Sequence, residues 1–164
     1  MGQRPGRINF HDVLPPQQSM LNEVPAGLAK PHKELSPKFF YDARGCEIFE
    51  AICNLPEYYP TRAELSIMRK YSGAMAQVLG CDCTLIEIGC GNTEKTRALL
   101  GELAPRVFVA VDIAHAQLEA SCNALADEFP HMRVVPVRAD FAHEFALPVA
   151  ALGSGRRTLY FRVS

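Results

Sequence analysis

The second half of the chain alternates short apolar runs with stretches in which apolar residues recur at helical spacing. The apolar runs predict four buried strands, at 84–88, 106–111, 133–137 and 157–163. The helical stretches between the first three runs lie at 93–103 and 114–129. A strand, helix, strand, helix, strand order predicts an α/β fold with a parallel sheet and right-handed crossovers. The continuous apolar runs indicate strands that are covered on both faces.

The first half of the chain has a different pattern. Residues 1–38 are rich in proline and polar residues, which predicts an extended N-terminal arm with one short helix near 20–28. Residues 39–80 read as a helical segment, with a short helix at 47–54 followed by a longer one. A capping box at Thr61–Glu64 predicts the start of the long helix, and Gly80 predicts its end. Residues 81–164 then form the α/β domain.

Composition narrows the class of protein. Apolar residues make up 48% of the chain and charged residues 21%, with a net charge of -1. This composition is ordinary for a globular protein, and no basic block indicates nucleic-acid binding. No apolar run has the length of about 18 residues that predicts a membrane span. The first residues lack the apolar core of a secretion signal, so a cytoplasmic protein is expected.

The cysteines do not predict a metal site. There are 6 of them, and without a secretion signal reduced thiols are expected. Cys81 and Cys83 are too close together for a zinc knuckle, and no matching histidine pair exists. We therefore interpret the cysteines as small buried residues and predict no metal.

The clearest candidate for chemistry is the glycine-rich turn at 86–92, with the sequence IEIGCGN, between a predicted strand and a predicted helix. Glycine lets the backbone bend tightly and approach a ligand closely. The following helix N-terminus offers free amides to an anionic group. A GxG turn alone is weak support, because an ordinary strand-to-helix turn has the same pattern.

Two acidic residues strengthen the case for a ligand. Asp112 is predicted at the end of the second strand and Asp140 at the end of the third. In open parallel sheets, ligands bind beyond the carboxyl ends of the strands, where an acid can accept hydrogen bonds from ribose hydroxyls. Either aspartate alone is better explained as a helix cap or turn residue. Together with Gly89, the two acids predict one adenosine-binding crevice.

The residue at position 94, a glutamate, favours S-adenosylmethionine (SAM) over NAD as the adenosine-containing cofactor. A dinucleotide fingerprint has glycine or alanine at this position, and an acid would repel the pyrophosphate. SAM has no phosphate, so the turn suits SAM better than NAD. Lys95, in the first helical turn, can pair with the SAM carboxylate, although a solvated surface lysine is an equal alternative.

Three longer sequence motifs resemble those of one known enzyme family. The segments 36–46 (SPKFFYDARGC), 55–62 (LPEYYPTR) and 87–97 (EIGCGNTEKTR) resemble the histidine-specific, SAM-dependent methyltransferase family of ergothioneine biosynthesis. The likeness extends from about Phe10 to about Phe161. It implies a Rossmann-like class I SAM-dependent methyltransferase fold, with L-histidine as the small-molecule substrate and its α-amino group as the site of methylation.

The resemblance also implies roles for individual residues. The cofactor-binding positions of the family fall on Gly89, Lys95, Asp112, Asp140 and Phe141. Its substrate-side tyrosines fall on Tyr41 and Tyr58. From the residues alone, the pair Tyr58 and Tyr59 is more simply explained as core packing with a satisfied hydroxyl group.

The resemblance stops after Phe161, where the chain reads RVS. We therefore expect the front half of such an enzyme, a truncated or fragmentary chain whose parallel sheet ends after the fourth strand. Such a chain is expected to bind SAM weakly or not at all, and not to methylate histidine by itself. Two alternatives stay open: an N-methyltransferase acting on an indole amino acid, and a non-catalytic SAM-binding remnant.

Overall fold

The computed structural model describes residues 8–14, 18–80, 82–148 and 158–162. The strands are β1 (His11–Asp12), β2 (Thr84–Ile88), β3 (Val107–Asp112), β4 (Arg133–Arg138) and β5 (Thr158–Arg162). The helices are α1 (Gln18–Ala29), α2 (Ala43–Cys53), α3 (Tyr59–Leu79), α4 (Glu94–Leu103) and α5 (His115–Glu128), with a 3-10 helix at Pro37–Phe40. The segment between β4 and β5 is described only as far as residue 148.

The strands form one parallel sheet in the order β1-β4-β3-β2-β5. The predicted α/β class and the four predicted strands are confirmed, with β2 at its predicted bounds. The two-residue strand β1 was not predicted. It pairs with the end of β4, so that His11 lies opposite Val137.

Alternate residues of the strands enter two separate cores. Leu85 and Phe108 are completely buried in the larger core, which α3, α4 and α5 cover with side chains such as Leu99 and Leu118. Val109 belongs to the core on the opposite face. Among the described residues, that face is covered by side chains outside the helices, including Val13, Phe145 and Leu147.

The N-terminal part contains the predicted helices with different bounds. The short helix expected near 20–28 in the arm is confirmed as the 12-residue helix α1, with Pro25 inside it. Helix α2 begins four residues before its predicted start, because the Asp42 side chain caps it by accepting a hydrogen bond from the Gly45 amide at 2.7 Å. Helix α3 begins at Tyr59, so the prediction that Thr61 caps this helix was wrong.

Within the part of the chain that the structure describes, no helix combines the length and apolarity that crossing a membrane requires.

Candidate functional site

The turn between β2 and α4 requires glycine at two positions. Gly89 has φ 73° and Gly91 has φ 52°, in the left-handed region that side chains disfavour. The Gly89 amide donates to the carbonyl oxygen of Val111 at 2.8 Å, which holds the turn against the end of β3. The Asn92 side chain accepts from the Glu94 amide at 3.1 Å at the start of α4. The predicted strand-glycine-helix turn is therefore present.

Asp112 is the last residue of β3, as predicted, and its side chain is buried beneath this turn. Its Oδ2 accepts from the Gly91 amide at 2.9 Å, and its Oδ1 accepts from the Ala114 amide at 3.0 Å. Because a carboxylate has about four acceptor positions, each oxygen retains capacity for a ligand donor. Asp112 thus fixes the glycine turn and still offers acceptors beside it.

Asp140 lies two residues beyond the end of β4, not at the strand end as predicted. Its Oδ2 lies 2.8 Å from Lys38 Nζ and 3.1 Å from His143 Nδ1, and its Oδ1 accepts from the Ala142 amide at 3.1 Å. Partial burial raises the pKa of Asp140, but the hydrogen bond from Lys38 and then that from the Ala142 amide outweigh it. The pKa of Asp140 is therefore lower than its ordinary value, and the carboxyl group is ionised at neutral pH.

A cleft of about 690 Å³ opens at the carboxyl ends of β2, β3 and β4. This volume is in the range of small-molecule sites. The predicted residues that line it are Gly89, Lys95, Asp112, Asp140, Phe141 and Tyr41. The sheet topology thus brings together residues that are far apart in the sequence.

Tyr58 does not line the cleft itself. Its ring lies edge-on to Phe49, with centroids 6.1 Å apart, and Phe49 lies edge-on to Tyr41 at 6.3 Å. Phe49, which the sequence analysis missed, lines the cleft between the two tyrosines. Its place in the FEAIC stretch of α2 is typical of core packing, so the sequence carried no separate signal for it.

The turn before α3, which carries Tyr58, is held by Arg62. The guanidinium donates to the carbonyl oxygen of Leu55 at 2.8 Å and also to that of Pro56. Arg62 lines the cleft as well. Its contribution was not predicted, because it depends on backbone carbonyls that the sequence pattern does not reveal.

Lys95 forms an ion pair with Glu64 across the packed helices α3 and α4. The Lys95 side chain is 23% exposed and lines the cleft, so it is not merely a solvated surface lysine. Glu64, which was predicted to complete the capping box, points to α4 instead.

Glu87 is a buried acid that the sequence analysis did not single out. It lies in β2, is 1% exposed and is one of the residues that line the cleft. Burial raises the pKa of Glu87 to about 8, although the hydrogen bond from Thr96 Oγ1 at 2.5 Å opposes the shift. An acid inside an otherwise apolar strand, directly before the glycine turn, was the signal that could have found it.

No group of three histidine, cysteine or acidic side chains that could hold a metal ion occurs among the described residues.

A parallel α/β sheet with a glycine turn after one strand and acids after the next two is typical of Rossmann-like folds, to which the class I SAM-dependent methyltransferases belong. A family model described as "Histidine-specific methyltransferase, SAM-dependent" matches residues 20–163. The chain therefore belongs to the histidine-specific, SAM-dependent methyltransferase family, and SAM is its cofactor.

Three relatives illustrate the similarity. Histidine N-alpha-methyltransferase of Mycobacterium tuberculosis is 40% identical over 148 residues, which cover 87% of this chain and 44% of that protein. Ergothioneine biosynthesis protein 1 of Schizosaccharomyces pombe is 36% identical, over 62% of this chain and 14% of that protein. The 4-dimethylallyltryptophan N-methyltransferase easF of Claviceps fusiformis is 27% identical, over 76% of this chain and 37% of that protein. The chain thus spans less than half the length of these relatives.

Proposed function

We propose that this chain supplies the cofactor-binding half of an enzyme that methylates the α-amino group of L-histidine in ergothioneine biosynthesis. The observation that carries the proposal is the single cleft at the carboxyl ends of three neighbouring parallel strands, lined by Gly89, Asp112 and Asp140. The higher identity to histidine N-alpha-methyltransferase than to the indole amino-acid enzyme supports histidine as the substrate.

On this proposal, each end of the cofactor meets a group of suitable charge. Asp112 has acceptor capacity left for ribose hydroxyls, and Asp140 and Phe141 lie where adenine would be held. The amino-acid tail carries an ammonium and a carboxylate. Glu87 is the buried acid whose carboxyl oxygen can accept a hydrogen bond from the ammonium, which would favour its ionised form, and Lys95 is the cation that can pair with the carboxylate.

The aromatic group Tyr41, Phe49 and Tyr58 is the proposed substrate side, formed from the helical segment 39–80. SAM, when bound, supplies a methyl group on a sulfonium, which is a good leaving group. The task of the protein is then to align the substrate nitrogen with that methyl group and to exclude water. The tyrosine hydroxyls can orient the amine, which attacks in its neutral form after losing a proton.

A cofactor-binding chain without catalysis is the second candidate. The observation in its favour is the exposure of the aromatic group, since Tyr41 and Phe49 are each 41% exposed. A site that excludes water would need further cover at this place.

The cofactor part of the proposal is tested by thermal unfolding with SAM or NAD, each titrated to millimolar concentration. A ligand that binds only the folded state stabilises it by about 2.7 kcal/mol at 100 times its Kd. We expect SAM to raise the melting temperature and NAD to leave it unchanged. Stabilisation by NAD alone would contradict the assignment.

The substrate part needs a longer chain. We suggest a chimera in which this sequence replaces the matching 44% of the Mycobacterium tuberculosis relative. We expect α-N-methylated histidine by mass spectrometry and no product from tryptophan derivatives. A chimera that binds SAM but methylates only tryptophan derivatives would establish the indole alternative.

A further inference from the structure

One lysine connects the N-terminal segment to the cofactor cleft. Lys38 lies in the 3-10 helix, and its side chain is only 12% exposed. Its Nζ lies 2.8 Å from Asp140 Oδ2 and 2.8 Å from Glu23 Oε2 in helix α1. A single ammonium group thus joins three segments that are distant in sequence.

The donors around Asp140 leave little freedom for its carboxyl group. Oδ2 faces Lys38 and His143, and Oδ1 accepts from the Ala142 amide. Of about four acceptor positions on a carboxylate, three are occupied. The fourth acceptor position of Asp140 remains for a ligand, because this side chain lines the cleft. The surrounding donors keep the carboxyl group ionised and in one orientation.

Lys38 is itself held by two acids. Burial lowers the pKa of Lys38, but the hydrogen bonds to Asp140 and Glu23 outweigh this effect and raise the pKa above its ordinary value. The lysine is therefore charged under all conditions in which the protein would work. Its positive charge neutralises the negative charge of Asp140. Its second hydrogen bond joins it to Glu23 in α1.

We propose that Lys38 is a positioning residue for the cofactor. It presents Asp140 as an ionised, oriented acceptor for one donor of the ligand, such as the amino group of adenine. Through Glu23 it also couples helix α1 to occupancy of the cleft. The inference rests on the proposed function, namely that this cleft binds SAM.

The coupling has a thermodynamic consequence. If Asp140 is fixed when the cofactor binds, then Lys38 and Glu23 are fixed with it. Linkage requires that the cofactor stabilise helix α1 as much as an ordered α1 favours the cofactor. Amide hydrogen exchange in Gln18–Ala29 should therefore slow when SAM is added.

The experiment measures SAM affinity by calorimetry in the full chain and in three variants. Lys38→Met should weaken binding about tenfold, as expected for a lost charge-assisted hydrogen bond. Lys38→Arg keeps a positive charge and donors for both acids, so its affinity should stay within about threefold of that of the unaltered chain. Lys30→Met is the matched control, because Lys30 forms an exposed ion pair with Glu34 outside the cleft. It should not change the affinity.

Glu23→Gln separates the two parts of the proposal. It retains the Lys38–Asp140 pair, so SAM should bind within about threefold of the unaltered affinity. The slowing of exchange in α1 on SAM addition should be lost. This variant and Lys38→Arg also decide the matter if Lys38→Met does not fold.

The outcomes are distinguishable. If the unaltered chain does not bind SAM, both the proposed function and this inference are overturned. If the unaltered chain binds SAM and Lys38→Met binds it equally well, only the inference is overturned. Equal weakening by Lys38→Met and Lys38→Arg, or retained α1 protection in Glu23→Gln, would also overturn it.

Discussion

A single carboxylate, that of Asp112, serves both the turn and the proposed ligand. It accepts the Gly91 and Ala114 amides and is 7% exposed. Asparagine has the same size, but its side-chain NH2 group would face one of these two backbone N–H groups. Two donors cannot form a hydrogen bond, so one of the two contacts would be lost. Asparagine would also remove the charge that strengthens hydrogen bonds to ribose.

We expect Asp112→Asn to lower SAM affinity at least tenfold, because a charge-assisted hydrogen bond contributes about 1.5–3 kcal/mol. Calorimetric titration measures this effect. Asp82→Asn is the control, since Asp82 is 62% exposed and precedes β2, at the opposite end of the strand from the cleft. A loss of less than twofold for Asp112→Asn would show that this acid only caps the turn.

Gly89 is the position where a side chain should do most harm. A β-branched residue at φ 73° is strained by about 1–3 kcal/mol and places methyl groups where the ligand approaches. We expect Gly89→Val to abolish SAM binding. Gly101→Val is the control, because Gly101 is helical and an added Cβ there meets no atom within 4 Å. Unchanged affinity in Gly89→Val would refute the role of the turn.

Site residues can be predicted from the sequence when they stand next to a strand or helix that the apolar pattern predicts. Gly89 and Asp112 stand next to strands that the apolar runs predict, so their positions follow from the fold. Lys38 and Glu23 belong to no strand, and Lys38 meets Asp140 only after the N-terminal segment has packed. The Lys38–Asp140 pair joins residues that are 102 positions apart in the sequence, which no local pattern encodes.

At the level of elements, Glu87 links β2 to α4 through Thr96. The pKa of Glu87 in the folded protein is about 8, against an ordinary value of 4.5. Between these values the unfolded chain releases the proton while the folded chain retains it. The free energy of unfolding therefore decreases as pH rises from 4.5 to about 8, and this contribution is fully present only below 4.5.

We expect Glu87→Gln to remove this pH dependence, because glutamine resembles the protonated acid and does not titrate. Urea unfolding of both proteins between pH 5 and pH 8 measures the difference, in which groups common to both cancel. The variant should become more stable relative to the unaltered protein as pH rises. Glu47→Gln, at a 65% exposed side chain, is the control. A difference that does not change with pH would contradict the prediction.

Helix boundaries show what a local pattern can miss. The interior of α3 and its end at Gly80 were predicted, because apolar spacing and glycine are strong signals. Its start was not, since Pro60 fits the first turn and allows the helix to begin before Thr61. Strand β1 has only two residues, and it exists because β4 offers a free edge for pairing.

At the scale of the whole molecule, the two sides of the cleft differ in cover. The cofactor side is built from buried strand ends, where Glu87 and Asp112 are at most 7% exposed. The aromatic side is carried by α2 and its neighbouring turns, where Ile48 is 47% and Phe49 is 41% exposed. The fold therefore buries the proposed cofactor side of the cleft but leaves the proposed substrate side open to water.

The last prediction follows from this asymmetry. From the sequence we expected weak or no SAM binding, but the buried strand ends of the cleft change this expectation. We now expect the 164-residue chain to bind SAM but to form no α-N-methylated histidine. Methyl transfer needs the amine held in line in a water-poor site, and an aromatic group in which Tyr41 and Phe49 are each 41% exposed does not provide that environment. Incubation with L-histidine and SAM, followed by mass spectrometry, measures the product against a control without protein. Product above that control, and lost in Tyr58→Phe, would show that the aromatic group completes a working site within this chain.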